Sequence, residues 1–373
     1  MNDQVPELIR AEIAAHGPIS LARFMELALY HPEWGYYEQS PRPIGRHGDF
    51  FTSVSVGRLF GDLLGFQFSE WLTQIQSPRG NGPLQIVEAG AHDGRLAADI
   101  LSGLRQRRPD LFSALEYWMV EPSPRRAALQ QEMLRAFGPK VRWFAGLQEL
   151  AAAGVQGVFF CNELLDAMPV HRWGWDASRH QWFEWGIHCQ ADRFDWIRMA
   201  EPTPGSADIP VSSNPGPPLP PDELQAVLPD GFTVETAPQA EAWWTQAARS
   251  LRQGRLVAFD YGFTAEEFFA PHRAQGTLRA YYQHELRPDA LAQPGEQDLT
   301  AHVNFTRLQE AGAAAGLRTE IFREQGRFLG EVARRWWALE GQDWSAAQVR
   351  QFQTRTHPGF LGMSFQVLVQ TTV

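Results

Sequence analysis

The stretch that most constrains this chain runs from Leu84 to Leu101. Leu84–Val87 is a short apolar run of β type, Glu88 and Gly90 stand at its end, Gly94 closes a polar loop, and Leu96–Leu101 reads as part of a helix at about 95–107. Strand, glycine loop and helix in that order form the first unit of a nucleotide-binding α/β sheet. Glycine lets the backbone turn sharply and lets a ligand come close to it. The helix start offers N–H groups with no partner inside the helix. An acid at the strand end can accept hydrogen bonds from a ribose or a cationic group. A plain strand-to-helix turn has the same outline, so the neighbouring segments must decide.

Those segments repeat the alternation. Leu115–Val120 reads as a second strand ending at Glu121, with a helix over Ser123–Phe137. Val141–Phe144 is a third strand, and Gly157–Cys161 a fourth that ends in Asn162-Glu163. Arg255–Asp260 is a strong later strand, and Leu317–Phe322 and Ser364–Thr371 are the last two, with helices between them. Strands alternating with helices imply a parallel sheet covered on both faces, with ligands collecting at the carboxyl ends of the strands. Glu88, Glu121 and Asn162-Glu163 stand at three such ends. Before the sheet, residues 5–16, Leu21–Leu29 (capped by Ser20) and Val56–Gln74 read as helices. After Pro169, Val170–Trp175 and Gln181–His188 read as a hairpin, and Pro202–Pro221 as a loop. Thr264–His302 is long and mixed.

Composition narrows the function. The 373 residues carry a formal net charge of -10, which disfavours a nucleic-acid surface, since phosphate binding wants clustered Lys and Arg. Cys161 and Cys189 make neither a disulfide framework nor a metal cluster. The first residues contain no apolar signal region and carry acids, and no run is long enough to span a bilayer. A cytoplasmic protein without membrane insertion is the expectation. Trp173, Trp175, Trp182 and Trp185 cluster in the hairpin, where buried packing is expected. The exposed edge of this hairpin would permit a homodimer.

The polar residues suggest the chemistry. A dinucleotide fingerprint wants G-x-G-x-x-G, whereas here the loop is Gly90-Ala91-His92-Asp93-Gly94. His92 would crowd a pyrophosphate and Asp93 would repel it. Such a loop suits S-adenosylmethionine, which has a sulfonium, an amino group and a ribose, better than NAD. Glu121 is placed to accept the ribose hydroxyls. In Cys161–Pro169 (CNELLDAMP), Glu163 and Asp166 can hold a guanidinium and orient one nitrogen for attack on a methyl group. A carboxylate is also the obvious proton acceptor. The same residues could merely cap a helix. His284, Asp298, Thr300 and His302 could form a second cluster, but their spacing does not suit a metal.

At this point the chain resembles a known family. ISLARFMELALYHPEWGYY, GDFFTS, FGDLL, IVEAGAHDGRLAADIL, VEPSP, CNELLDAMPVHRW, FDYG, QGTLRAYYQHE and PGEQDLTAHVNF follow one another in the order of the MidA family of class I S-adenosylmethionine-dependent methyltransferases. Mitochondrial members of that family are arginine methyltransferases that assist assembly of respiratory complex I. The resemblance implies a Rossmann-like α/β sheet of about seven strands with the last antiparallel, an N-terminal helical cap, and an α+β insertion between the fourth and fifth strands. It divides the chain into a cap at 1–82, a first half-domain at 83–169, an inserted β-rich segment at 170–239, and a second half-domain at 240–373 with a substrate-side insertion at 264–304. It implies S-adenosyl-L-methionine as cofactor, held by Glu88, Gly90, His92, Gly94, Glu121 and Asn162, with Thr52 and Ser53 lying over it. It implies Asn162 and Glu163 facing cofactor and substrate, so that with Asp166 of the acidic pair the expected catalytic residues are Glu163, Asp166 and Asn162, and it implies a protein substrate, a respiratory-complex subunit among the candidates. Two departures stand beside the pocket. The family commonly has G-P-G-R-G where this chain has Gly90–Gly94, and Pro-Glu where it has Val54-Ser55. They leave open a catalytically weakened assembly factor or adaptor as the alternative, with a dinucleotide-dependent oxidoreductase more remote.

Overall fold

Seven strands form the body of one sheet, with the two-residue strand Val303–Asn304 paired beside the fifth of them, in the computed structural model, which describes residues 3–39, 57–75, 83–200, 217, 220–283, 285–341, 344–357, 362 and 365–373. The strands are β1 (Leu84–Ala89), β2 (Leu115–Val120), β3 (Val141–Phe144), β4 (Val155–Asn162), β5 (Leu251–Phe263), β6 (Leu317–Glu324) and β7 (Phe365–Thr372). Their spatial order is β6-β7-β5-β4-β1-β2-β3. From β5 to β3 every pairing is parallel, whereas β7 runs antiparallel to both β5 and β6. This is the Rossmann-like arrangement expected, including the reversed last strand.

Both faces are covered, which is why the inner strands are apolar almost throughout. On one face pack the helices Leu59–Gln74, Arg95–Arg107 and Gln325–Glu340, with Phe60, Phe68, Ile100, Phe160, Phe259 and Trp336 in their core. On the other pack Leu147–Ala153, Pro238–Ser250 and Phe305–Ala314, around Phe159, Trp244 and Phe305. Helix Arg95–Arg107 spans the expected residues. The helix after β2 is shorter than expected. It runs Pro124–Met133 and yields to a 3₁₀ segment, Arg135–Lys140, where Pro139 and the left-handed Gly138 break it.

The segment between β4 and β5 forms a separate antiparallel sheet of His171–Asp176, Gln181–Gln190, Arg193–Arg198 and Thr233–Thr236, which Ile19–Ser20 from the start of the chain joins by pairing with Gln181–Gln190. The expected hairpin is present. Its extension through Arg193–Arg198 was not foreseen, because its turn lacks the usual glycine signal: Ala191 and Asp192 themselves hold φ of 48° and 62°. Trp173 and Trp175 are buried with Leu228, Phe232 and Val234, as packing required. The mixed stretch before His302 contains a second small sheet, Arg279–Tyr282, Glu285–Arg287 and Asp298–Thr300. Among the described residues no helix is long and apolar enough to cross a membrane.

Candidate active site

The register of the sheet assembles the site. Ala89 of β1 lies beside Val120 of β2 and Cys161 of β4, and Cys161 lies beside Ala258 of β5. Gly90, Glu121 and Asn162 therefore share one row, and Asp260 stands within β5 one residue beyond Phe259, the partner of Asn162. Four loops converge at the carboxyl edge because parallel strands end together there.

The loop after β1 is held by its own backbone and by the loop after β4. Gly90 and Gly94 have φ of 72° and 83°. Gly94 N–H donates to the Ala91 carbonyl at 2.8 Å. A side chain on Gly90 would bring its Cβ within 2.9 Å of Leu164 Cδ1, so glycine is what lets the two loops touch. His92 also sits in the left-handed region, at φ 48°, where the family carries glycine. Its side chain is exposed at the surface. Reduced hydration of the ring and the nearby Arg126 lower its pKa, leaving a neutral imidazole at neutral pH. Asp93 turns to cap the helix, accepting from Arg95 N–H at 3.1 Å and pairing with the Arg95 guanidinium at 3.0 Å.

The acids at the strand ends differ in environment. Glu88 is buried, and Tyr117 Oη donates to it at 2.5 Å. Burial pushes its pKa up to about 8, against the Tyr117 bond that lowers it. Glu121 accepts from Ser123 N–H at 3.0 Å and from Gln130 Nε2 at 2.9 Å, and burial raises its pKa. Gln130 was not singled out in the sequence. It also donates to the His92 carbonyl at 3.1 Å and accepts from Trp143 Nε1 at 3.1 Å. It thus joins the glycine loop, Glu121 and β3. Its only sequence signal is its place two turns into the helix after β2.

Beyond β4, Glu163 holds φ 52° while its N–H donates to the Phe259 carbonyl at 2.9 Å. A non-glycine residue in that region stores strain, a common feature of functional loops. Asn162 Nδ2 donates to Glu163 Oε1 at 3.1 Å, and Asn162 Oδ1 is buried without a donor. Asp166 is buried, and its pKa is raised by burial and by the neighbouring carboxylates of Asp260, Glu163 and Asp298. Asp260 secures the turn by accepting from Leu164, Leu165 and Tyr261 N–H groups at 3.3, 2.9 and 2.8 Å. Burial raises it to about 7.

The N-terminal segment straps these parts together. Tyr37 Oη donates to Asp298 at 2.5 Å and Tyr30 Oη to the Ala167 carbonyl at 2.8 Å. Glu38 accepts from Ser123 Oγ at 2.7 Å, and Arg126 donates to the Tyr37 carbonyl. Of the second cluster weighed from sequence, Asp298 thus borders the site, while the His302 ring stacks on Phe263, 4.8 Å between centroids. Gly48–Ser53, with Thr52 and Ser53, Ser55 and His284 lie outside the described residues.

The glycine cradle, the unpaired Asn162 acceptor and the ring of acids fit a ligand bearing an adenosine ribose and a cationic end. Comparisons with known proteins agree. A family model for S-adenosyl-L-methionine-dependent methyltransferases matches residues 63–323. The chain is 30% identical over 336 residues to a protein of Drosophila melanogaster named protein arginine methyltransferase NDUFAF7 homolog, mitochondrial, covering 83% of this chain and 70% of that protein. The mouse protein arginine methyltransferase NDUFAF7, mitochondrial, is 29% identical over 83% of this chain and 70% of its own length. A crystal structure from Burkholderia thailandensis with bound S-adenosyl-homocysteine superposes with a TM-score of 0.83 at 29% identity, covering 99% of this chain and 92% of that one. The expected cytoplasmic location is corrected by the relatives, which are named as mitochondrial. A protein whose sheet, glycine loop and family match agree in this way is an enzyme using S-adenosyl-L-methionine: the chain belongs to the S-adenosyl-L-methionine-dependent methyltransferase family.

Proposed function

We propose that this enzyme methylates arginine side chains of a protein, with Glu163 as the group that meets the guanidinium. The observation that carries the reading is the half-buried, strained Glu163 beside the buried, donor-less Asn162 Oδ1, at the row where β1, β2 and β4 end. The names of the relatives support the arginine acceptor. Bound cofactor supplies an activated methyl group on a sulfonium. Glu163 orients a guanidinium nitrogen by charge-assisted hydrogen bonds and takes its proton as the new N–C bond forms and the S–C bond breaks. Asp166, kept protonated by Asp260 and burial, leaves Glu163 as the carboxylate that faces the substrate. Glu88, Gly90, His92, Gly94 and Glu121 hold the cofactor, Glu121 taking the ribose hydroxyls, and Asn162 Oδ1 accepts from the cofactor's amino group. Substrates to try first are subunits of a respiratory complex, as the family resemblance implies.

The test is transfer of a tritiated methyl group from S-adenosyl-L-methionine to protein in a lysate, followed by identification of the labelled residue. Glu163→Gln should lower transfer by about 10²-fold or more while S-adenosyl-homocysteine still binds. Label on lysine or a carboxylate, or full activity in Glu163→Gln, would sink the reading.

A further inference from the structure

The most unusual charge in the molecule is Arg355. It sits in the last turn of the helix Ala346–Thr356 and is 0% exposed. Its Nε, Nη1 and Nη2 are all buried without an acceptor. Its guanidinium lies over the Phe60 ring, 4.3 Å from the centroid, and within electrostatic reach of Glu163 and Asp99. A cation this deep costs several kcal/mol unless something compensates it, and a ring face compensates only part.

The surroundings say where it points. Phe60 opens the helix Leu59–Gln74, and Asp99 lies in the second turn of the helix that follows the glycine loop. Those helices touch there, since a Cβ on Gly61 would lie 2.4 Å from Asp99 Cβ. Gln351, one turn before Arg355, accepts from Leu59 N–H at 3.1 Å and pins the helix in place. Arg355 is therefore held between the glycine-loop helix and Glu163 after β4.

We propose that Arg355 receives the carboxylate of the methyl donor's amino-acid end. That end of the cofactor carries one ammonium and one carboxylate. Glu88 and Asp166 keep their protons, but Asp93, Asp99, Glu121 and Glu163 remain acids of the site, a poor setting for a carboxylate. Among the described residues, Arg58 is engaged with Asp62 at 3.3 Å, Arg95 with Asp93, and Arg126 with the Tyr37 carbonyl. Arg355 supplies the missing donors, in a planar fork that matches a carboxylate. Asn162 Oδ1, an acceptor lacking a donor, borders the same Glu163 and suits the ammonium. The two orphaned groups thus have opposite hydrogen-bonding sense, as the two ends of an amino acid require.

The inference rests on S-adenosyl-L-methionine being the cofactor, and the test separates the two. Isothermal titration measures S-adenosyl-homocysteine and its decarboxylated analogue against wild type, Arg355→Met and Arg355→Lys. Wild type should prefer the carboxylate-bearing ligand by about 10- to 100-fold, the value of a charge-assisted pair. Arg355→Met should bind both ligands alike, with affinity for the decarboxylated analogue within about threefold of wild type, and Arg355→Lys should keep part of the preference. The ligand-free melting temperature of Arg355→Met should not fall, because its unpaired donors are removed. A preserved preference in Arg355→Met would overturn the proposal, as would equal loss of both ligands or a lower ligand-free melting temperature with the preference intact. Should Arg355→Met not fold, Arg355→Lys retaining the whole preference would overturn it too. Wild type binding neither ligand would remove the cofactor reading as well.

Discussion

Glu88 shows how one side chain's burial becomes a property that can be measured. In the folded chain it keeps its proton up to about pH 8, against an ordinary value of 4.5, because burial disfavours its charge. The folded state then binds more protons than the unfolded one between those values, so stability falls as pH rises. The contribution is full below about 4.5 and lost as pH passes about 8, at about 1.4 kcal/mol for each pH unit between. Glu88→Gln mimics the protonated group, so its melting temperature relative to wild type should climb from pH 5 to pH 9. A difference that stays flat with pH would show Glu88 ionised in the folded protein. His92 is the other residue with a direct test. Holding φ 48° costs a non-glycine residue about 1–2 kcal/mol, and glycine's added chain entropy returns about 0.5–1. His92→Gly should therefore stabilise the protein by roughly 0.5–1 kcal/mol in urea unfolding. Glu88 and His92 were both legible in the sequence as loop residues. Their protonation and backbone strain were not, because both depend on what packs around them.

At the scale of elements, the loop after β4 depends on a side chain from another strand. Asp260 satisfies three N–H groups, two in the loop after β4 and one in its own strand. Asp260→Ala would orphan them at about 1–3 kcal/mol each, so a loss of at least about 3 kcal/mol is expected, with methyl transfer falling because Glu163 loses its support. Asp260→Asn keeps acceptor oxygen at one position and should cost less. Denaturant titration of both variants checks the order. Gln130 plays the same part on the other side of the row. Gln130→Ala should weaken S-adenosyl-homocysteine binding about tenfold, as Glu121 and the His92 carbonyl lose their shared donor. The sequence marked Asp260 as a strand end and a turn cap, and the structure extends that reading to the neighbouring loop. Gln130 carried no signal, since a glutamine within a helix is ordinary until its partners are known.

For the whole molecule, the catalytic edge is closed by chain far away in sequence. Tyr37 reaches Asp298, and Glu38 reaches Ser123, so the first helices and the late small sheet meet over the loops of the first half of the sheet. Tyr37→Phe should loosen this strap, seen as faster hydrogen exchange in residues 31–39 and a lower melting temperature. Cofactor product at a hundred times its Kd should stabilise the wild type by about 2.7 kcal/mol, and a smaller response in Tyr37→Phe would place the strap's effect at the cofactor.

The sequence by itself determined the alternation of strand and helix, the helix Arg95–Arg107, the strands β2 and β3 to the residue, and the acids that end β1, β2 and β4. Those are local properties, written in apolar periodicity, glycine placement and capping residues. The order of the ordered motifs also sufficed for the family and its cofactor. Tertiary structure alone decided which ends share a row, that Asp166 turns toward Asp260, and that Ala191-Asp192 makes a turn without glycine. It alone carried Arg355, from a helix near the end of the chain, to the first turns of the glycine-loop helix. The reason is physical: strand register, burial and unpaired charge arise from contacts between residues hundreds of positions apart, and periodicity along the chain does not encode them.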